Sequence, residues 1–246
     1  VAAQQAAKAG QVQKTLSDGT QILAQEDVAI DGHGTVQVGV IAFSDNSGDG
    51  LWDPREYIAY VPDGFEGKEL PVLVISPGNS QTDSIFMDST LWWQVADKEG
   101  IVLAFVCETY SASPSSVSHA DSDKFYNSLM AVLEETIDGT YANLDFTRIY
   151  GSGQSTQGFV RTNPEFYAAA ASTSGLAVPD GTSQLPEGAG GAMPDFVITG
   201  QSDLDNLMPD LWGSEMANEW ITYLFDVNNM PDAQIGTADD EHEFIN

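Results

Sequence analysis

Strand-like apolar runs dominate the first half of the chain. Residues 20–30 (TQILAQEDVAI) and 35–43 (TVQVGVIAF) predict two strands, joined by Asp31-Gly32-His33-Gly34, whose Asp-Gly step is a hairpin signal. Residues 55–62 (REYIAYVP) predict a third strand. Asp63-Gly64 then turns the chain into residues 70–76 (LPVLVIS), a continuously apolar run of the kind buried on both faces of a parallel sheet. That run stops at Pro77-Gly78-Asn79-Ser80-Gln81-Thr82. Across residues 88–99 (DSTLWWQVADKE), Leu91, Val95, Trp92 and Trp93 recur at helical spacing and Gly100 ends the helix. Residues 101–107 (IVLAFVC) form a second buried strand, so the unit reads strand, helix, strand with a right-handed crossover and a parallel pair.

The second half continues the alternation. After a Ser-rich loop at 111–118, residues 121–138 carry Phe125, Leu129, Val132 and Leu133 on one helical face. Strands are predicted at 146–150, 166–172 (FYAAAAS) and 194–199 (PDFVIT). The Gly/Pro-rich stretch 176–192 reads as a loop over a cleft, and 214–227 (SEMANEWITYLFDV) as a helix with Met216, Trp220 and Leu224 inward. Residues 1–14 are Ala/Gln-rich without an apolar face and read as a loose N-terminal arm. The pattern predicts one α/β domain over residues 1–246: a layered sandwich with a mostly parallel central sheet and antiparallel N-terminal strands. There is no internal repeat.

Charge narrows the partners. The formal net charge is −29, from 37 acidic and 8 basic side chains, so nucleic acid and anionic membrane surfaces are repelled. No apolar run reaches the roughly 18 residues that a membrane helix needs. An acidic surface suits a salt-rich habitat and equally a secreted protein kept soluble by self-repulsion. The chain starts at Val1 rather than Met, which points to a removed leader or to a start inside the gene, and secretion is the expectation. Cys107, the single cysteine, has no disulfide partner within the chain and reads as a small core residue.

Three places carry candidate chemistry. In residues 146–158 (FTRIYGSGQSTQG) a strand breaks into small polar residues around Ser155, and Gly153-Gln154-Ser155 supplies the first half of G-x-S-x-G, the strand-to-helix elbow that exposes a nucleophilic serine. Gln157 stands where the closing glycine belongs, and Gly158 follows one place late. In residues 45–56 (DNSGDGLWDPRE), Asp45, Ser47, Asp49, Gly50, Asp53 and Glu56 fall at positions 1, 3, 5, 6, 9 and 12 of a calcium-loop pattern, though the flanks read as strands and Asp/Gly-rich hairpin loops share this composition. His33 reads as a solvent-facing turn histidine.

The order of pieces from about residue 57 to 227 resembles the secreted esterases of the polyhydroxybutyrate depolymerase and feruloyl-esterase type within the α/β-hydrolase superfamily. The resemblance rests on Tyr60-Val61-Pro62 leading to LPVLVIS and Pro-Gly-Asn-Ser-Gln-Thr, on Asp97-Lys98-Glu99-Gly100 before IVLAF, and on residues 163–171 (NPEFYAAAA). It implies an α/β-hydrolase three-layer sandwich and a serine carboxylic-ester hydrolase needing no cofactor, acting on short hydroxyacyl, polyester or aromatic esters. Carried over residue by residue, it implies Ser155 as nucleophile and the backbone N–H groups of Thr156 and Asn79 as oxyanion donors, with Pro77 where the family has histidine. Gly200-Gln201-Ser202-Asp203 matches the family's placement of the triad acid, with Asp205 as the alternative. Trp92, Trp93, Tyr110 and Trp212 are candidates for an apolar acyl or aryl pocket, and equally for core.

Two departures from the family pattern stand out. Only residues 156–163 separate Ser155 from Pro164, too short for a well-anchored helix. Past Ser155 the candidate base is His242, flanked by Asp239, Asp240, Glu241 and Glu243, neighbours that favour imidazolium over the neutral base. The expectation is therefore of a longer natural chain in which the last strand, the catalytic histidine and a closing helix follow. His119 fits neither the family order nor that of the fold. A peptidase or other acyl hydrolase on the same scaffold, and a non-catalytic calcium-dependent binding protein, are the alternative readings.

Overall fold

The computed structural model describes residues 12–44, 53–77, 83–106, 119–154, 166–173, 193–198 and 229. The chain divides into two compact units, Val1–Tyr150 and Gly151–Asn246. The first contains strands β1 (Lys14–Thr15), β2 (Gln21–Ile30), β3 (Gly34–Ser44), β4 (Asp53–Pro62), β5 (Glu69–Ser76), β6 (Val102–Val106) and the start of β7 (Asn143–Gln154), which neighbour one another in the order β1-β2-β3-β4-β6-β5-β7. Helices α1 (Asp83–Thr90) and α2 (Trp92–Glu99) link β5 to β6, and α3 (His119–Val132) continues into a π-helical turn, Leu133–Ile137, before β7. In the second unit the end of β7 is followed by β8 (Ala169–Thr173) and β9 (Asp195–Ile198). The expected loop at 176–192 and helix at 214–227 lie outside the described residues.

Strand direction follows the sequence pattern. β2, β3 and β4 form an antiparallel meander, and β4 is antiparallel to β6. The two continuously apolar runs, β5 and β6, pair in parallel with Val72 opposite Val102 and Ile75 opposite Phe105. Side chains alternate across such strands. On one face Ile58, Tyr60, Leu73, Ile75, Leu103 and Phe105 form a core with Phe86 of α1 and Ala96 of α2, and Trp92 and Trp93 pack against it. Burying each large side chain of this kind contributes roughly 1.5–3 kcal/mol.

The opposite face is closed differently. Gln37, nearly inaccessible on β3, accepts hydrogen bonds at Oε1 from Gln25 Nε2 at 2.8 Å, Tyr57 Oη at 3.0 Å and Thr136 Oγ1 at 3.0 Å. Thr136 belongs to the π-helical turn, so that turn lies on the sheet face away from α1 and α2. The network extends from Gln37 Nε2 to Asp27 Oδ1 at 3.0 Å, and Asp27 Oδ2 accepts from Tyr141 Oη at 2.6 Å. Burial raises the Tyr57 phenol well above its ordinary range, which keeps it protonated as a donor. Its ring covers Gly39, the residue opposite it on β3; a Cβ there would run into ring atoms.

Two expectations change. Lys14, the last residue assigned by sequence to a loose arm, and Thr15 after it pair with Ile22 and Gln21, because Asp18 closes a tight turn by accepting from Thr20 N and Thr20 Oγ1 while Leu16 is buried. The single helix expected over 88–99 is two helices. Ser89 and Thr90 turn their hydroxyls back onto the Phe86 carbonyl, at 3.3 and 2.8 Å, and Leu91 takes a left-handed conformation at φ 55°. Leu91 and Val95 are consequently exposed, while the tryptophans and Ala96 face the core.

Two measurements check this picture. Gly39→Val should destabilise the protein by about 3 kcal/mol in denaturant titration, since Tyr57 cannot move without breaking the Gln37 network. Leu91→Gly should stabilise it by about 0.5–1 kcal/mol, because left-handed backbone is costly for leucine and free for glycine. An unchanged or lowered melting temperature in the latter would contradict the strain argument.

Candidate active site

The site is built from strand ends. β7 carries Tyr150, Gly151, Ser152, Gly153 and Gln154 in one extended run that stops one residue short of Ser155. Ser152 and Gly153 are buried, and Gly153 has φ 150°, a backbone conformation that a residue with a Cβ rarely adopts. The first glycine of the half-motif thus stands at a backbone conformation that favours glycine. Beside it, Thr173, the last residue of β8, donates its hydroxyl to the Gly153 carbonyl at 3.1 Å.

β8 and β9 are parallel, with Thr173 opposite Ile198, the last residue of β9, and Ala170 N bonded to Pro194 O at 2.9 Å. Gly153, Thr173 and Ile198 therefore stand level. The chain leaves this edge toward Ser155 from β7 and toward Asp203 from β9. In the first unit, β5 ends at Ser76 and Pro77, both buried, and the segment carrying Asn79 leads from there to α1.

Ser155, Thr156, Asn79, Asp203, Asp205, His242, Tyr110 and Trp212 themselves lie outside the described residues, as do Cys107, Asp45, Ser47 and Asp49. His119 opens α3. Asp53 and Glu56, the last two positions of the calcium pattern, lie in β4, with backbone paired to Ser44 and Val40 of β3 in an extended ladder. Among the described residues no group of three or more His, Cys, Asp or Glu is arranged to hold a metal ion, and no helix is long and apolar enough to cross a membrane.

Trp92 and Trp93 are half-buried on α2. Trp93 meets the His33 ring edge to face, with centroids 5.2 Å apart and planes at 82°. Asp97, one turn further along α2, accepts His33 Nδ1 at 2.7 Å and also the Tyr60 hydroxyl. His33 is in the predicted turn and partly exposed, yet its ring has two partners on α2, which spacing alone does not reveal. Burial, then the hydrogen bond and charge of Asp97, raise the Tyr60 phenol, so it stays a donor. This cluster sits where β4 ends and β6 begins, at the opposite end of the first unit's sheet from Pro77. An open cleft of about 220 Å³ between residues 62–67 and 139–143 lies toward the same end, where β5 and β7 start. Within the first unit, both lie away from the end of β5 that leads to Asn79.

No protein-family profile matches the sequence, and no curated protein matches it either. Solved structures do. A feruloyl esterase module from Clostridium thermocellum, solved with sinapinate, is 14% identical with a TM-score of 0.54, covering 78% of this chain and 75% of that one. A thermostable esterase is 17% identical with a TM-score of 0.50, covering 78% of this chain and 52% of that one. An acetyl xylan esterase from Aspergillus awamori is 15% identical with a TM-score of 0.42, covering 61% and 51%. The chain thus spans about half the length of the last two. At scores of 0.50 and 0.54 and these identities the likeness is one of fold: the chain shares the α/β-hydrolase fold of esterases.

The strand-end geometry gives a test. Gly153→Val should lower stability by about 1–3 kcal/mol, since it forces a β-branched side chain into φ 150° in a buried strand. Thermal melting of this variant beside Gly151→Ala, whose glycine lacks a positive φ, separates backbone strain from simple crowding.

Proposed function

We propose that the protein is a serine carboxylic-ester hydrolase, built as the α/β-hydrolase three-layer sandwich, that works through an acyl-enzyme. What supports it is the level ending of β7, β8 and β9, the strands that Ser155 and Asp203 follow in sequence, with Gly153 at a positive φ that favours glycine. A hydroxyl is a weak nucleophile unless a base takes its proton at the moment of attack. In this reading Ser155 Oγ attacks the ester carbonyl, the N–H groups of Thr156 and Asn79 stabilise the oxyanion, and the alcohol leaves with a proton from the base. Water then releases the acid by the same route in reverse. Asp203 orients the base and stabilises its cation.

In this sequence the histidine following Ser155 is His242, among four carboxylates that favour its protonated form. The substrates are short hydroxyacyl, polyester or aromatic esters, and the setting is extracellular, in keeping with a net charge of −29 that holds the protein away from anionic surfaces.

A fluorophosphonate probe should label the wild-type protein and fail to label Ser155→Ala, and the same substitution should lower hydrolysis of p-nitrophenyl acetate by about 10³-fold or more. Labelling that persists in Ser155→Ala overturns the assignment. Peptide anilides run beside the esters decide between an esterase and a peptidase, and His242→Ala tests whether that histidine is the base.

A further inference from the structure

β7 ends in a run with little side chain to hold it. Gly151, Ser152 and Gly153 precede Gln154, and the residues on either side of Ser152 have no Cβ. Glycine rotates about φ and ψ more freely than any other residue, and Gly153 stands at φ 150°. That freedom is a cost where a strand must deliver the next residues in one direction, because the peptide joining Gly153 to Gln154 can swing about the bonds on either side of it. Only the peptide between Gln154 and Ser155 then separates it from the serine.

One side chain restrains this peptide from outside β7. Thr173 Oγ1 donates to the Gly153 carbonyl oxygen at 3.1 Å, between neighbouring strands. Thr173 is the last residue of β8, and its backbone is held in turn by the parallel ladder to β9, where it stands opposite Ile198. A β-branched side chain is stiff at χ1, so the hydroxyl is presented from a firm mount on a paired strand. The contact calls for a donor rather than for bulk: valine has the shape of threonine and nothing to donate.

We propose that Thr173 is a positioning residue for the nucleophile. It fixes the carbonyl of Gly153 and through it the direction in which β7 leads to Ser155. The proposal rests on Ser155 being the nucleophile. Its effect belongs to the rate, since a serine oxygen has to meet the ester carbon and its base together, and a small misplacement of a reacting atom slows attack steeply. Binding of the ester does not draw on the Thr173 hydroxyl, which is engaged with the backbone. A single partly buried hydrogen bond is worth a modest amount, so its loss slows turnover several-fold without abolishing it.

Two substitutions in the full chain test this, with p-nitrophenyl acetate as substrate and a fluorophosphonate as label. Thr173→Val should lower kcat and the second-order labelling rate by about three- to tenfold, with KM within about twofold of wild type and the protein fully folded at the assay temperature. Thr173→Ser, which keeps the hydroxyl, should recover most of the loss. Wild-type kcat and labelling in Thr173→Val overturn the proposal, and so does an equal loss in both variants, which assigns the effect to packing of the methyl group. A loss that vanishes once rates are referred to the folded fraction gives Thr173 a structural part alone and overturns it too. Ser155→Ala separates the two levels. Labelling lost there, with wild-type rates in Thr173→Val, defeats the role of Thr173 alone; labelling that persists in Ser155→Ala defeats the nucleophile and the positioning role together.

Discussion

The parallel pairing of β5 and β6 is the constraint from which the first unit follows. Two strands without a polar side need cover on both faces; α1 and α2 supply it on one side, and on the other the π-helical turn after α3 meets the sheet at Gln37 of β3. The cover differs in kind. Beneath α1 and α2 the contact is apolar and non-directional. On the other face the sheet's outer part is joined to the turn by Gln25, Gln37, Tyr57 and Thr136, whose hydrogen bonds fix one register and one only, since a buried amide left without partners costs about 1–3 kcal/mol. The network thereby ties the antiparallel meander to the helix that leads into β7.

Much of this is legible in the residues. LPVLVIS and IVLAFVC announce themselves as doubly buried strands, and the Asp31-Gly32 hairpin falls where its turn chemistry puts it. Other features depend on contacts between distant positions. Gly39 looks like a weak point in a strand until Tyr57 is placed over it, and Gln37 looks solvent-facing by alternation although it is buried. The break at Leu91 is invisible to helical periodicity because the cause is local: two hydroxyls competing for the Phe86 carbonyl.

For the candidate site the balance is similar. Gly153-Gln154-Ser155 is readable as half a motif, and the positive φ of Gly153 near the end of a long strand gives that glycine a backbone reason. Thr173 carries no motif, since its part is defined by the neighbouring strand's carbonyl. His33 was readable as a turn residue only. Its partners, Asp97 and Trp93, lie one helical turn apart on an element far along the chain, and periodicity cannot pair them with a hairpin tip.

That hairpin tip has a mechanical consequence. Asp97 gathers His33 and Tyr60 at the end where β6 begins, so a hairpin, a central strand and a helix are clasped at one point. Slow amide exchange belongs near such a clasp, where three elements must separate together before a backbone N–H is freed. Sequence change at any one of the three elements is then felt by the other two, because one carboxylate serves both partners.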